Sequence, residues 1–260
     1  MTILISALLV SSSSLAESPS DEASRLIETL RSSDALVQPE IVRDIEAMGE
    51  AVVPSLVDAM NAGDTLLRYQ AIEILGRIGE DANAATPQLI DALDDPESQI
   101  RRNAAWALGR VGDEASDAMP TLLDTALDVR WDVRADAVWA MGRVVEDSGD
   151  WAAVDSDLVA AVTDFLNDNS HHVRWSAAWS LARFGPGAEA ALQELVDALE
   201  DEHAKVRASA AAALGRVGSS HHEELVSEAL SKAMNDESAL VRSRAAAALR
   251  SIRARTVPSM

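Results

Sequence analysis

The sequence predicts an all-α fold, an α-solenoid of about seven two-helix units. The first observation behind this is a repeat. Six segments align in register: LLRYQAIEILGRIG from Leu66, QIRRNAAWALGRVG from Gln99, DVRADAVWAMGRVV from Asp132, HVRWSAAWSLARFG from His172, KVRASAAAALGRVG from Lys205 and LVRSRAAAALRSIR from Leu240. Their anchor arginines, Arg68, Arg101, Arg134, Arg174, Arg207 and Arg242, are by subtraction 33, 33, 40, 33 and 35 residues apart. The second observation is apolar spacing of helical period, as in Ile100, Ala104, Leu108 and Val111. The third is punctuation: Gly79, Gly112, Gly185 and Gly218 follow the last turn of a copy, and Pro54, Pro87 and Pro120 open the helix between copies.

In chain order, residues 1–16 read as a possible signal peptide. An apolar stretch from Ile3 to Val10 leads through serines to Ser14 and Ala16, which suit cleavage after Ala16. Export to the periplasm or the exterior is therefore expected. A cytoplasmic location is the alternative, because no lysine or arginine precedes the apolar stretch. Residues 17–35 form a polar leader and an N-terminal capping helix. The array itself occupies 36–252 and begins with a worn copy that has Val37 and Gln38 at the Val-Arg place and Gly49 at its end. The 40-residue step is a loop insertion at 145–156, VEDSGDWAAVDS, which holds Trp151. Residues 253–260 are a C-terminal tail.

Composition narrows the partners. There are 43 acidic and 22 basic residues, a net charge of −21. Nucleic acid and anionic membranes repel such a surface. Past the leader, no apolar run approaches the roughly 20 residues that a spanning helix needs, so no membrane insertion is expected after leader removal. The absence of cysteine excludes disulfides, thiolate metal sites and cysteine nucleophiles. No cofactor is expected, and the chain is expected to be a monomer.

Two sets of side chains stand out. An aspartate lies six residues before five of the anchors, at Asp95, Asp128, Asp168, Asp201 and Asp236. Each is expected to pair with the arginine that begins its own copy's helix, so that the six arginines form a structural ladder tying repeat to repeat. The second set is aromatic. At 100° per residue, the place five after the anchor lies about 155° from the centre of the buried stripe. Trp106, Trp139 and Trp179 occupy it, and Tyr69 and Trp175 lie one after the anchor on the same side. Arg110, Arg143 and Arg183 follow four residues beyond the tryptophans, where guanidinium can stack on indole. These eight residues are the expected partner-binding face, open to solvent and suited to an acidic or aromatic segment of a protein or peptide.

The phrase VRxxAAxALGRVG makes the chain resemble HEAT-repeat proteins, in particular the short HEAT-like repeats named after phycobilisome lyases, over roughly Leu36 to Ile252. The resemblance implies a solenoid that serves scaffolds, inhibitors, chromophore lyases and a metal-dependent hydroxylase alike. The hydroxylase is marked by His-Glu pairs just after the anchors. Here those places hold Tyr69 and Gln70, Arg102 and Asn103, Ala135 and Asp136, Trp175 and Ser176, Ala208 and Ser209, and Ser243 and Arg244. His171, His172, His203, His221 and His222 fall in turns or at helix starts, so no metal site is expected. A lyase or other planar-anion binder is the alternative: a bilin would stack on Trp139 or Trp179, pair its propionates with Arg143 or Arg183, and meet Asp136 through its pyrroles. The tryptophan row also resembles armadillo-type solenoids, which grip extended peptides, except that arginine replaces their asparagine. That exchange favours carboxylates, which arginine binds through two parallel hydrogen bonds. No phosphate loop or nucleophile motif points to transfer chemistry, and no catalytic residue is expected.

Overall fold

The structure, a computed structural model, describes residues 18–32, 38–148, 154–218 and 222–256. The expected leader 1–16, Trp151 and His221 lie outside them. Among the described residues there are fourteen α-helices in seven consecutive pairs: α1 (Pro19–Ser32) and α2 (Gln38–Glu46), α3 (Val53–Met60) and α4 (Thr65–Ile78), α5 (Thr86–Asp91) and α6 (Ser98–Leu108), α7 (Met119–Thr125) and α8 (Trp131–Ser148), α9 (Ser156–Asp164) and α10 (His171–Phe184), α11 (Leu192–Asp197) and α12 (Ala204–Val217), α13 (Glu223–Ala233) and α14 (Ala239–Thr256). The even-numbered helices from α4 to α14 carry the anchor arginines and pack on one another in sequence, forming one layer; the odd-numbered companions form the other. This is the α-solenoid that the repeat predicts. No helix among the described residues is long and apolar enough to cross a membrane.

The predicted stripe is the seam between the layers: Ile100, Ala104, Leu108 and Val111 are fully buried, as are Val133, Ala137, Met141 and Val144. Burial does not stop there. Ala105 and Ala107 of α6, and Ala211 and Ala213 of α12, are also closed off, because each anchor helix has a neighbour on either side. Small residues let those neighbours approach closely. The first glycine of each ALGRVG phrase supplies the tightest approach. A β-carbon on Gly76 would meet Ala107 Cα at 3.0 Å, one on Gly109 would meet Ala140 Cα at 3.0 Å, and one on Gly215 would meet Ala248 Cα at 2.8 Å.

Pro54, Pro87 and Pro120 stand in the first turns of α3, α5 and α7, where no helical N–H is lost. Gly79, Gly112 and Gly185 adopt φ of 74°, 93° and 55°, which turns the chain out of the anchor helix. Gly218 differs, with φ −54° and ψ 121°, so its helix closes without a left-handed residue. The insertion is also shorter than expected: α8 continues through Ser148, helped by Arg143 bonding to Glu146 and Asp147 one turn on. At the other end, α14 continues past 252 to Thr256.

Candidate functional site

The anchor ladder is built across the joints. The guanidinium groups of Arg101, Arg134, Arg174 and Arg207 each take the backbone carbonyls of their own turn and the carboxylate of the next. Arg101 Nη1 donates to the carbonyls of Asp95 (2.8 Å) and Pro96 (3.0 Å), while its Nε donates to Asp128 Oδ2 at 2.7 Å. Arg134 grips Asp168 with two bonds of 2.8 and 2.9 Å, Arg174 grips Asp201 at 2.6 and 3.1 Å, and Arg207 grips Asp236 at 2.7 and 2.9 Å. Arg68 stands 3.4 Å from Asp95. Arg242, in the last copy, holds the carbonyls of Asp236 and Glu237. The expected pairing of each aspartate with its own copy's arginine is thus corrected: the six-residue spacing delivers the carbonyl, and the carboxylate belongs to the preceding repeat's arginine.

The second oxygen of each aspartate caps the turn, as Asp201 Oδ1 does by accepting the His203 N–H at 2.7 Å. Burial alone would push the carboxyls of Asp128, Asp168 and Asp201 up. The arginine and backbone hydrogen bonds outweigh it and hold them below the ordinary carboxylate range. At Asp236 the Arg207 bond is the largest influence, in the same direction.

The aromatic row is not open to solvent as its helical angle predicts. Trp106, Trp139, Trp175, Trp179 and Tyr69 are all half-buried. Trp106 lies on Gly76 of the preceding anchor helix and Trp139 on Gly109: a β-carbon at either glycine would come within 2.3 and 2.7 Å of the indole. The angle was right for an isolated helix, but in a stacked layer the neighbouring helix covers half of that face. The arginines divide likewise. Arg110 and Arg143 turn back to the carbonyls of Gly76 (3.4 Å) and Gly109 (3.3 Å), and Arg143 also binds Glu146 and Asp147. Arg183 does stack on Trp179, 4.3 Å from the ring, and lies 3.0 Å from Glu146. Trp139 and Trp179 are tilted together with centroids 6.0 Å apart.

One stretch of this face does open. Between α10, α12 and α14 lies a pocket of about 530 Å³, walled by Trp175, Trp179, Arg183, Lys205, Arg216 and Arg244, with no Asp or Glu among its described lining residues. Its floor includes Ala182 and Ala212. These stand where the earlier joints carry glycine and tryptophan, Gly76 with Trp106 and Gly109 with Trp139, so no indole fills this joint. The Arg183 guanidinium is pushed below its ordinary pKa by burial and by Arg216, Arg143 and Arg244, with Glu146 opposing. Such a cluster favours any anion that enters.

Of the eight residues expected to bind a partner, the pocket brings together Trp175, Trp179 and Arg183. Tyr69, Trp106, Arg110, Trp139 and Arg143 lie elsewhere along the layer. Lys205, Arg216 and Arg244 were missed, although Arg216 stands nine after its anchor, the same place as Arg110, Arg143 and Arg183. Attention to tryptophan hid it, since α12 has none. Asp136, named for a bilin, is mostly buried, its carboxyl pushed up by burial while Arg102 bonds to it at 2.8 Å. His171 stacks on His203 with ring centroids 3.9 Å apart, and His222 lies 3.1 Å from a Glu189 carboxylate oxygen. No group of three His, Cys, Asp or Glu among the described residues is arranged to hold a metal.

The HEAT repeats family matches this chain at residues 23–98, 86–152, 128–215 and 192–259. No curated protein matches it. Among solved structures it is similar to an engineered protein, at 21% identity and a TM-score of 0.63, covering 78% of this chain and 96% of that one. A designed armadillo repeat protein is similar at 20% identity and a TM-score of 0.61, covering 77% and 99%. A second designed armadillo repeat protein, in complex with the peptide (KR)4, is similar at 21% identity and a TM-score of 0.58, covering 89% and 99%. At these identities the likeness is one of fold.

Proposed function

Since the chain belongs to the HEAT-repeat family, whose fold commonly serves as a protein-binding scaffold, we propose that it is a non-catalytic scaffold gripping an acidic segment of a partner protein in the pocket between α10, α12 and α14. One observation carries this reading: in a chain of net charge −21, Arg183, Lys205, Arg216 and Arg244 converge with Trp175 and Trp179 on a cavity that has no carboxylate among its described lining residues. The surrounding negative surface repels acidic molecules, so a local cationic hollow selects by position as well as charge. The armadillo relative seen with (KR)4 holds a basic peptide. Arginine and lysine walls favour the opposite charge here, with indoles to receive an aromatic side chain.

The test is calorimetric titration with a synthetic peptide of glutamate and tyrosine. Binding should weaken about tenfold with Arg216→Glu and again with Arg244→Glu, and should fall as salt rises. Affinity untouched by both substitutions rejects the reading. The alternative, a small planar anion, is favoured by the volume of about 530 Å³, within the few hundred to ~1,000 Å³ typical of small-molecule sites. Coexpression with bilin synthesis separates the two, because a peptide scaffold stays colourless.

A further inference from the structure

A second hollow lies on the companion side of the array, with chemistry opposite to that of the first. It has a volume of about 1070 Å³ and runs between α7 and α9 over the end of α8. Met119 and Leu123 form one wall, Leu158 and Phe165 the other, and Val144 and Val145 the floor. Leu127, 74% exposed, forms its lip. Asp124, Asp155, Asp157, Asp164 and Asp168 also line it, and among the described residues no lysine or arginine does. Asp168 is engaged by Arg134 and Asp155 caps α9, whereas Asp124, Asp157 and Asp164 are exposed at the rim.

The 3-10 turns Asp113–Ala118 and Gly185–Ala191 pack against α5 and α9 and bury Ala115, Ala118, Ala188 and Ala191 there. The groove coincides with the one joint that carries the 40-residue step.

We propose that this groove docks an amphipathic helix of a partner protein whose apolar stripe is flanked by lysine and arginine. Side chains at i, i+3, i+4 and i+7 would enter the apolar trough, and the basic flank would meet the aspartate rim. Charge complementarity argues for this occupant: an acidic or neutral helix would leave the exposed aspartates opposed or unanswered, while a basic one neutralises them.

The experiment uses the full chain and a fluorescent peptide of about 18 residues, five helical turns, with leucine on one stripe and lysine elsewhere. Anisotropy at physiological salt should show saturable binding. Leu127→Ser and Asp164→Lys, both at exposed positions, should each weaken it about tenfold. Glu194→Lys, an equal charge change on α11 outside the groove, should leave it nearly unchanged, and a sequence-scrambled peptide should bind much more weakly. If Glu194→Lys weakens binding as much as Asp164→Lys, the attraction is net charge alone and the proposal fails. It fails too if neither peptide order binds the native chain. Binding seen only with Trp151→Ala would give the groove to the chain's own insertion and likewise overturn it.

Discussion

Gly142 and Ser180 meet where α8 packs on α10: a β-carbon on Gly142 would lie 2.4 Å from Ser180 Oγ and 2.8 Å from Ser180 Cα. Ser180 is fully buried and donates to the Val138 carbonyl at 2.8 Å. Alanine normally raises helix stability by about 1 kcal/mol over glycine. Here the backbone contact outweighs that gain, and Gly142→Ala should lower stability by about 1–3 kcal/mol. Urea denaturation measures it, and a more stable variant would show that the two helices separate at little cost.

Arg174 is 9% exposed and bonds to two carboxylates and two carbonyls. Arg174→Ala leaves Asp201 buried without its partner and should cost about 3–5 kcal/mol. Lys232→Ala breaks the exposed contact with Glu200 and should leave the denaturation midpoint nearly unchanged. Comparing the two denaturation midpoints tests whether the ladder, rather than ion pairs in general, holds the array.

The same ladder sets an acid limit. Because Asp128, Asp168, Asp201 and Asp236 have folded pKa values below the ordinary one, their stabilisation is present above the unfolded value of about 4 and is lost as pH falls through the folded values. Thermal melts should therefore fall steeply below about pH 4. Arg174→Ala should show a shallower fall, having lost one of the four pairs already.

His171 titrates at higher pH. Burial, then His203 and His172, push its pKa down, and Asp201 opposes. The folded state binds its proton less readily than the unfolded state, so stability is full above about pH 6.5 and declines below it. His171→Gln should flatten the decline below about pH 6.5, as read from melting temperature. An unaltered profile would assign the decline to other groups.

Trp139 and Trp175 should separate folding from binding. Trp139, packed on Gly109, should cost about 2–3 kcal/mol of stability when cut to alanine, less than a fully buried tryptophan. Trp175→Ala, in the wall of the cationic pocket, should weaken the acidic peptide more than it lowers the melting point. Measuring both quantities on both variants decides the assignment, and a reversed order would place the site further along the row.

The helix pairs, the seam residues and the arginine register were legible because each depends on local period and repeat spacing. The solvent face was not. An angle computed for one helix places Trp139 outward, and only the neighbour's Gly109 reveals that it is covered. The glycines of the ALGRVG phrase were visible yet unread, because their role lies in the next copy. The cationic pocket was written as a double change, Ala182 and Ala212 at the glycine and tryptophan places, which only the contact between joints makes meaningful. The groove between α7 and α9 left no motif, since its walls are ordinary core leucines and its rim ordinary surface aspartates.

Every joint of the ladder takes its arginine from the N-terminal unit and its aspartate from the C-terminal one. The joints therefore share one polarity and one socket. Removing the stretch from 96 to 128 would bring Asp95 into the place of Asp128, and duplicating it would add a unit whose two ends already fit. Length is thus a property that this lineage can change by unequal crossing-over without inventing a new contact, while reversing a unit's order is closed to it. The surfaces that differ between joints, one cationic and one acidic, are then free to diverge on a frame that counts only in whole repeats.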